Sequence, residues 1–270
     1  MCKSLGWWRA AMLIGSILAG GAVLVVVGGH ASASLAALDS AADSAYNDGW
    51  QAGDNGGSGF GAWTLGGAVS NGGHFVGDSA TNAGGGSGNI NTSGRAWGMW
   101  AQTGSLVDAI RPFTGGAMTV GQTFELDMDN GWIAPAAAVG FGLRNSSDVN
   151  RLELYFTGGQ SHYTLNIGGT TSDSGIDWTG NGLHVEFTLN SGNGYSLAVT
   201  PSGGSTSTLT GTLAASDIDR VRFFNSNAAG GDSGPNYDAF YNSLSLVPEP
   251  ASLTLVTLGG VSLLMRRRRK

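Results

Sequence analysis

The stretch Leu183-His184-Val185-Glu186-Phe187-Thr188-Leu189, then Asn190-Ser191-Gly192-Asn193-Gly194, then Tyr195-Ser196-Leu197-Ala198-Val199 decides the fold class. Apolar residues fill every second position of both runs, the period at which a strand sends alternate side chains to opposite faces. Wound as a helix, the same letters would split the apolar residues between two opposite sides. Gly and Asn between the runs supply the turn. The segment therefore reads as an antiparallel hairpin with one dry and one wet face.

Working outward, the alternation recurs in Thr123-Phe124-Glu125-Leu126-Asp127-Met128-Asp129, Arg151-Leu152-Glu153-Leu154-Tyr155-Phe156, His162-Tyr163-Thr164-Leu165-Asn166-Ile167 and Arg220-Val221-Arg222-Phe223-Phe224. Turn signals at Gly158-Gly159, Gly168-Gly169, Ser202-Gly203-Gly204 and Gly230-Gly231 separate the runs. No helical period longer than about two turns interrupts them. About ten to thirteen such strands predict an all-β, two-sheet antiparallel sandwich. Residues 53–94, with Gly56-Gly57, Gly72-Gly73 and Gly84-Gly85-Gly86, read as long loops or edge hairpins. No repeat at a fixed period argues for a solenoid or propeller.

Composition narrows the function. Of 270 residues 47 are Gly, only 6 are Pro and 12% are charged, about half the usual charged share. The 10 Phe, 8 Trp and 6 Tyr suffice for a core. Between Ser34 and Val247 six arginines and no lysine face eighteen carboxylates, a net −12. That balance excludes nucleic acid, which is bound by cations that neutralise phosphates. Calcium and neutral polymers fit it.

Residues 1–33 read as a secretory signal peptide. Lys3 and Arg9 form the charged start, residues 10–27 the apolar run, and Ala31-Ser32-Ala33 the small-residue site before Ser34. Such a leader implies the Sec translocon and signal peptidase as partners. Cys2, the only cysteine, falls in the removed part, so the mature chain has neither disulfides nor cysteine-bound zinc.

At the other end Val247-Pro248-Glu249-Pro250-Ala251-Ser252 precedes a mostly apolar run, 253–265, and then Arg266-Arg267-Arg268-Arg269-Lys270. Thirteen residues as a helix would reach about 20 Å, short of the roughly 30 Å hydrocarbon core. The terminal cations would hold to the cytoplasmic side. All three parts, in this order, resemble the PEP-CTERM sorting signal of exported bacterial proteins. The resemblance implies an exosortase-type membrane enzyme that reads Pro248, Glu249 and Pro250. It also implies a transient inner-membrane anchor and a final place at the cell surface or outside it. The segment Asn47-Asp48-Gly49-Trp50 through Gly61-Ala62-Trp63-Thr64-Leu65 also looks like the start of many such precursors.

The predicted organisation is thus a signal peptide (1–33) with its helix, a β-sandwich (34–247) and a sorting signal (248–270) with a short transmembrane helix. The closing run Tyr237-Asp238-Ala239-Phe240-Tyr241-Asn242-Ser243-Leu244-Ser245-Leu246 resembles the last strand of concanavalin A-like jelly rolls, which lies near the first strand.

Three constellations could carry chemistry. Glu125, Asp127 and Asp129, two apart, share one strand face and resemble the Glu-x-Asp-x-Glu strand of laminarinase-type retaining glucanases. Asp129, a methylene shorter than the acid/base Glu of that family, would widen the roughly 5–5.5 Å carboxylate separation that a double displacement needs. A half-buried strand with Phe124, Leu126 and Met128 inward explains the same letters, so the expectation is a non-enzyme without a catalytic residue. Asp232, Asn236 and Asp238, with Asp217 and Asp219 as a second group, are the best oxygen clusters for calcium, the one cofactor the sequence suggests. Trp97, Trp100, Trp132 and Trp178 are the aromatic candidates for stacking on sugars. His74, His162 and His184 lack ligand spacing. The leading expectation is an exported structural or adhesive surface protein associated with exopolysaccharide. A lectin-like carbohydrate-binding module is the alternative, and a divergent β-glucanase the remote one.

Overall fold

The computed structural model describes residues 37–67, 70–82, 89–231 and 234–248. The signal peptide with Ala31, Ala33 and Ser34, the residues Asp232, Glu249 and Pro250, and the apolar run with its Arg266, Arg267, Arg268, Arg269 and Lys270 lie outside them. Among the described residues no helix is long and apolar enough to cross a membrane.

Among the described residues fifteen strands follow one another: β1 (Ala37–Asp39), β2 (Thr64–Gly66), β3 (Gly72–Gly77), β4 (Ala96–Ala101), β5 (Leu106–Pro112), β6 (Thr123–Asn130), β7 (Ala138–Arg144), β8 (Asn150–Thr157), β9 (His162–Ile167), β10 (Thr170–Asp177), β11 (Leu183–Leu189), β12 (Gly194–Pro201), β13 (Ser207–Thr212), β14 (Arg220–Ser226) and β15 (Ala239–Val247). They form an eight-stranded sheet, β13-β12-β11-β6-β15-β4-β3 with β1 added beside β15, and a seven-stranded sheet, β10-β9-β8-β7-β14-β5-β2. All strand pairings are antiparallel. The chain changes sheet at each step from β4 to β7 and again around β14, so the middle of each sheet joins strands distant in sequence.

The β11–β12 hairpin forms in the expected register, Leu183 opposite Pro201 through Leu189 opposite Tyr195. Its loop turns through Gly192 and Asn193, both at positive φ (65° and 59°). Gly168 and Gly169 (φ 57° and 98°) make the two-residue link between Ile167 and Thr170. Two successive positive φ values are what a hairpin turn of that length requires. Part of the glycine-rich region 53–94 pairs at the sheet edges, in line with the edge-hairpin expectation, as β2 against β5 and β3 against β4. Its period was hidden because glycine has no side chain to alternate.

The core lies between the sheets. Phe124, Leu126, Val185, Phe187, Leu197 and Val199 meet Val139, Phe141, Leu143, Leu152, Leu154, Val221 and Phe223, all fully buried. Tyr241 of β15 stacks flat on Phe223 of β14, with ring centroids 4.1 Å apart. Its hydroxyl donates to the Gly140 carbonyl at 2.9 Å, which ties the two sheets together. At one side the segment after β1 folds over Arg111, which is fully buried and ion-paired with Asp39. Its guanidinium also donates to the Tyr46 hydroxyl (2.6 Å) and the Gly56 carbonyl (2.8 Å) and lies over the Trp63 ring.

Candidate functional site

The outer face of the eight-stranded sheet presents rows of polar side chains that antiparallel register lines up. One row runs Asn242, Asp127, His184, Thr200 and the next Ser245, Glu125, Glu186. A cleft of about 330 Å³ lies on the first row, lined by Asp127, His184, Asn89, Asn91, Ser202 and Ser243 among others. His184 Nδ1 is 2.8 Å from Asp127 Oδ1. That hydrogen bond, together with the negative field of Asp127, Glu186 and Glu125, raises the imidazole pKa against the opposing effect of burial. Glu125 accepts from the Ser245 hydroxyl at 2.7 Å.

Two local features build the cleft wall. The pairing of β15 with β6 slips between Asn242 and Ser245, and Ser243 takes φ 54°, a bulge that turns its side chain toward the cleft. Fully buried Asn242 then donates to the carbonyls of Ile90 (2.7 Å) and Arg95 (3.0 Å) and accepts from the Ala41 N–H (3.0 Å). Ser79 binds Ile90 and Asn91, with its hydroxyl accepting from the Ile90 N–H and its own N–H donating to Asn91 Oδ1.

Asp129, the third carboxylate of the β6 face, departs from the expectation that these acids face water. It is 1% exposed, beside Gly182 and near Asn82. Its oxygens face the Asn82 amide nitrogen and the Asn130 N–H, contacts that fall short of full hydrogen-bond geometry and offset only part of the cost of burial. Burial pushes its pKa up to about 6. The face thus holds a paired Asp127, an engaged Glu125 and a sealed Asp129.

The four tryptophans separate. Trp97 is a correction to the sugar-stacking set: it is fully buried against Tyr46, Trp50 and Trp63. Its position between apolar neighbours on β4 faces the other sheet, where no ligand reaches. Trp100 lies on the outer face across Gly73, its Nε1 about 3.0 Å from where a residue-73 Cβ would stand. Trp132 and Trp178 come together. With Ile133 and Phe156 they line an apolar pocket of about 200 Å³, and Trp132 remains 53% exposed. Phe156 and Trp178 lie 5.8 Å apart.

Of the calcium cluster, Asn236 and Asp238 are described. Asn236 is exposed and its carbonyl accepts from the Trp132 N–H at 3.0 Å. Asp238 is buried, which raises its pKa to about 7. Among the described residues no three His, Cys, Asp or Glu side chains gather to hold a metal ion. His162 lies between Asp173 (3.0 Å) and Asp177 (3.2 Å) at the β9–β10 edge, beside a depression of about 500 Å³. The role of His184 was missed in the sequence because its partner lies 57 positions away. The signal was the register of two strands whose pairing the letters do not state. Pro248 directly follows β15.

No family model matches the chain, and no curated protein matches it. Among solved structures it is similar to a carbohydrate esterase from the Shiga toxin-encoding bacteriophage phi24B, at 13% identity and a TM-score of 0.45, over 69% of this chain and 90% of that one. It is similar to an endo-β-1,4-glucuronan lyase from Trichoderma reesei at 10% identity and a TM-score of 0.43, over 68% and 90%. A galectin from Caenorhabditis elegans matches at 14% identity and a TM-score of 0.35, over 51% and 88%. At such identities and scores none of these proteins assigns a function to the chain.

Proposed function

We propose that this chain is an exported, non-enzymatic surface or matrix protein whose sandwich, wired as a concanavalin A-like jelly roll, binds polysaccharide in a lectin-like manner. The observation that carries the reading is the aromatic pocket, where Trp132 keeps half its surface in water beside Trp178 and Phe156. Water leaves such ring faces readily, and the C–H face of a sugar ring takes its place. The polar cleft offers carboxylate, amide and hydroxyl groups of the kind that bind sugar hydroxyls. With a net −12 the domain favours a neutral polymer over an anionic one.

The non-enzymatic part is supported by the burial of Asp129, which removes the third carboxylate from any open sugar site. Export is supported by the leader pattern, and processing by the PEP-CTERM resemblance of the tail. In this reading the Sec translocon and signal peptidase release the domain. The Arg-rich end then holds the chain in the inner membrane until an exosortase-type enzyme acts near Pro248-Glu249-Pro250.

Co-sedimentation with purified neutral exopolysaccharide and β-glucans, with reducing-sugar release measured in the same tubes, tests the proposal. The wild type should bind and release no sugar. Trp132→Ala should bind roughly 3- to 10-fold more weakly, a stacked ring being worth about 0.5–1.5 kcal/mol, at an unchanged melting temperature. Equal binding by the variant overturns the pocket assignment, and sugar release overturns the non-enzymatic one.

A further inference from the structure

The two sheets end in strands whose outer backbone groups face no further strand, and proteins normally guard such edges with charge, proline, bulges or cover. Most edges here are guarded. β10 carries Asp173 and Asp177, which hold His162, and slips register between them. β2 has three residues, and the far side of β1 is closed by reciprocal Leu38–Ser58 hydrogen bonds. β3 is mostly half-covered. β13 differs: every residue but Leu209 is exposed, and residues 202–216 contain no charge and no proline.

The register states which groups face outward. The Leu213 N–H donates to the Asn193 carbonyl at 2.9 Å, and Gly211, Leu209 and Ser207 follow in the same phase opposite Tyr195, Leu197 and Val199. In an antiparallel pair such directly bonded residues alternate with residues whose N–H and C=O point the other way. The backbone groups of Thr208, Thr210 and Thr212 therefore point away from β12 to the open edge.

We infer that this edge is a self-association surface, where two copies of the chain pair β13 with β13 antiparallel about a two-fold axis through Thr210. A two-fold contact must be self-complementary, and this one is. Thr210 exchanges both main-chain hydrogen bonds with its counterpart, and Thr208 does so with Thr212 of the other copy, giving roughly six bonds. The threonine side chains meet on the outer face, a favourable cross-strand pairing. On the inner face Leu209 opposes Gly211, large against small. The stretch is free of charge in a domain of net −12, so this is the place where two like-charged copies approach at least cost. The contact extends the eight-stranded sheet across both molecules and leaves the aromatic pocket, on other strands, open. It is independent of whether the protein binds sugar.

Thiol cross-linking of the full-length chain, with Cys2 replaced by Ser, tests both pairing and register. The pairing puts the two copies of residue 210 about 5.5 Å apart between Cα atoms, and the two copies of residue 208 about 15 Å apart. With a short bismaleimide Thr210→Cys should yield at least 10-fold more covalent dimer than Thr208→Cys. Adding Thr208→Lys and Thr212→Lys to the Thr210→Cys chain sets like charges opposite each other and should cut the dimer more than 5-fold, with the monomer still exported. Equal yields at 208 and 210, or a Lys pair without effect, would overturn the inference. Since both lysines replace exposed threonines whose N–H groups are outside the ladder, a loss of dimer with normal monomer levels cannot come from misfolding.

Discussion

At the scale of single residues the β6 face shows how one period-two pattern yields three environments. Glu125 and Asp127 find partners in Ser245 and His184, whereas Asp129 lies buried with only weak contacts to Asn82 and Asn130. A carboxyl whose folded pKa is about 6 against 3.8 holds its proton in the native state over a range where the unfolded chain has lost it. Its effect on stability therefore declines as pH rises from about 4 to about 6, and above that burial of the ionised group is a full penalty. Asp129→Asn removes the titration. The variant should be more stable than the wild type by ~1–3 kcal/mol at pH 8, two pKa units being worth just under 3, and equal to it near pH 3.5. Urea unfolding at the two pH values measures this, and a variant less stable at pH 8 would contradict it. His184 has the same sign, since its pKa is also raised on folding. Its raised pKa makes its pairing with Asp127 strongest at low pH and weaker as the imidazole loses its proton.

At the scale of elements β15 organises the site. It lies between β6 and β4, receives β1 at its bulge end, and through Asn242 pins residues 90–95 over its own outer face. Four hydrogen bonds converge on that one buried amide. Replacing it with Ala leaves buried backbone groups unpaired, at about 1–3 kcal/mol for each group left unsatisfied. Asn242→Ala should thus lower stability by ~2–4 kcal/mol and loosen the cleft wall before the sheets separate. Limited trypsin digestion reads this directly. Arg95, which the wild type holds against the Asn47 side chain and the Tyr46 carbonyl, should be the first site cut within residues 37–248 of the variant, and earlier cutting at another arginine of that span would show that the wall does not depend on Asn242.

At the scale of the whole molecule the two sheets are joined by contacts that cross between them. Tyr241 stacks on Phe223, and Arg111 of one sheet holds Asp39 at the start of the other. Since Asp39 belongs to β1 and β1 pairs with β15, the beginning and end of the folded unit meet. Pro248 therefore leaves from a strand deep in the sheet, and Glu249 follows within one residue of the folded domain. The proposed sorting motif thus starts at the first residue after β15. Replacing Pro248, Glu249 and Pro250 together by Ala should keep insertion, because the apolar run is untouched, and block processing. The precursor with its full tail should then accumulate in the membrane of the native host, as seen by blotting membrane and medium. Normal release of that variant would remove the sorting reading.

The sequence by itself determined what depends on near neighbours. Period-two runs such as 183–189 fixed strands and the side that faces inward, and Gly168-Gly169 fixed a turn, because both follow from backbone geometry within a few residues. It also showed the charge balance, six arginines against eighteen carboxylates between Ser34 and Val247. Only the tertiary structure decided which strands lie side by side. Asp127 meets His184, and Trp132 meets Trp178, because β6 and β11 pair and loops from both sheets converge. Trp97 and Asp129 vanish from the surface because other segments cover them. The glycine-rich strands β2 and β3 carry little side-chain pattern, so their pairing could be seen only against β5 and β4. Burial and register are properties of distant partners, and no local spacing of letters encodes them.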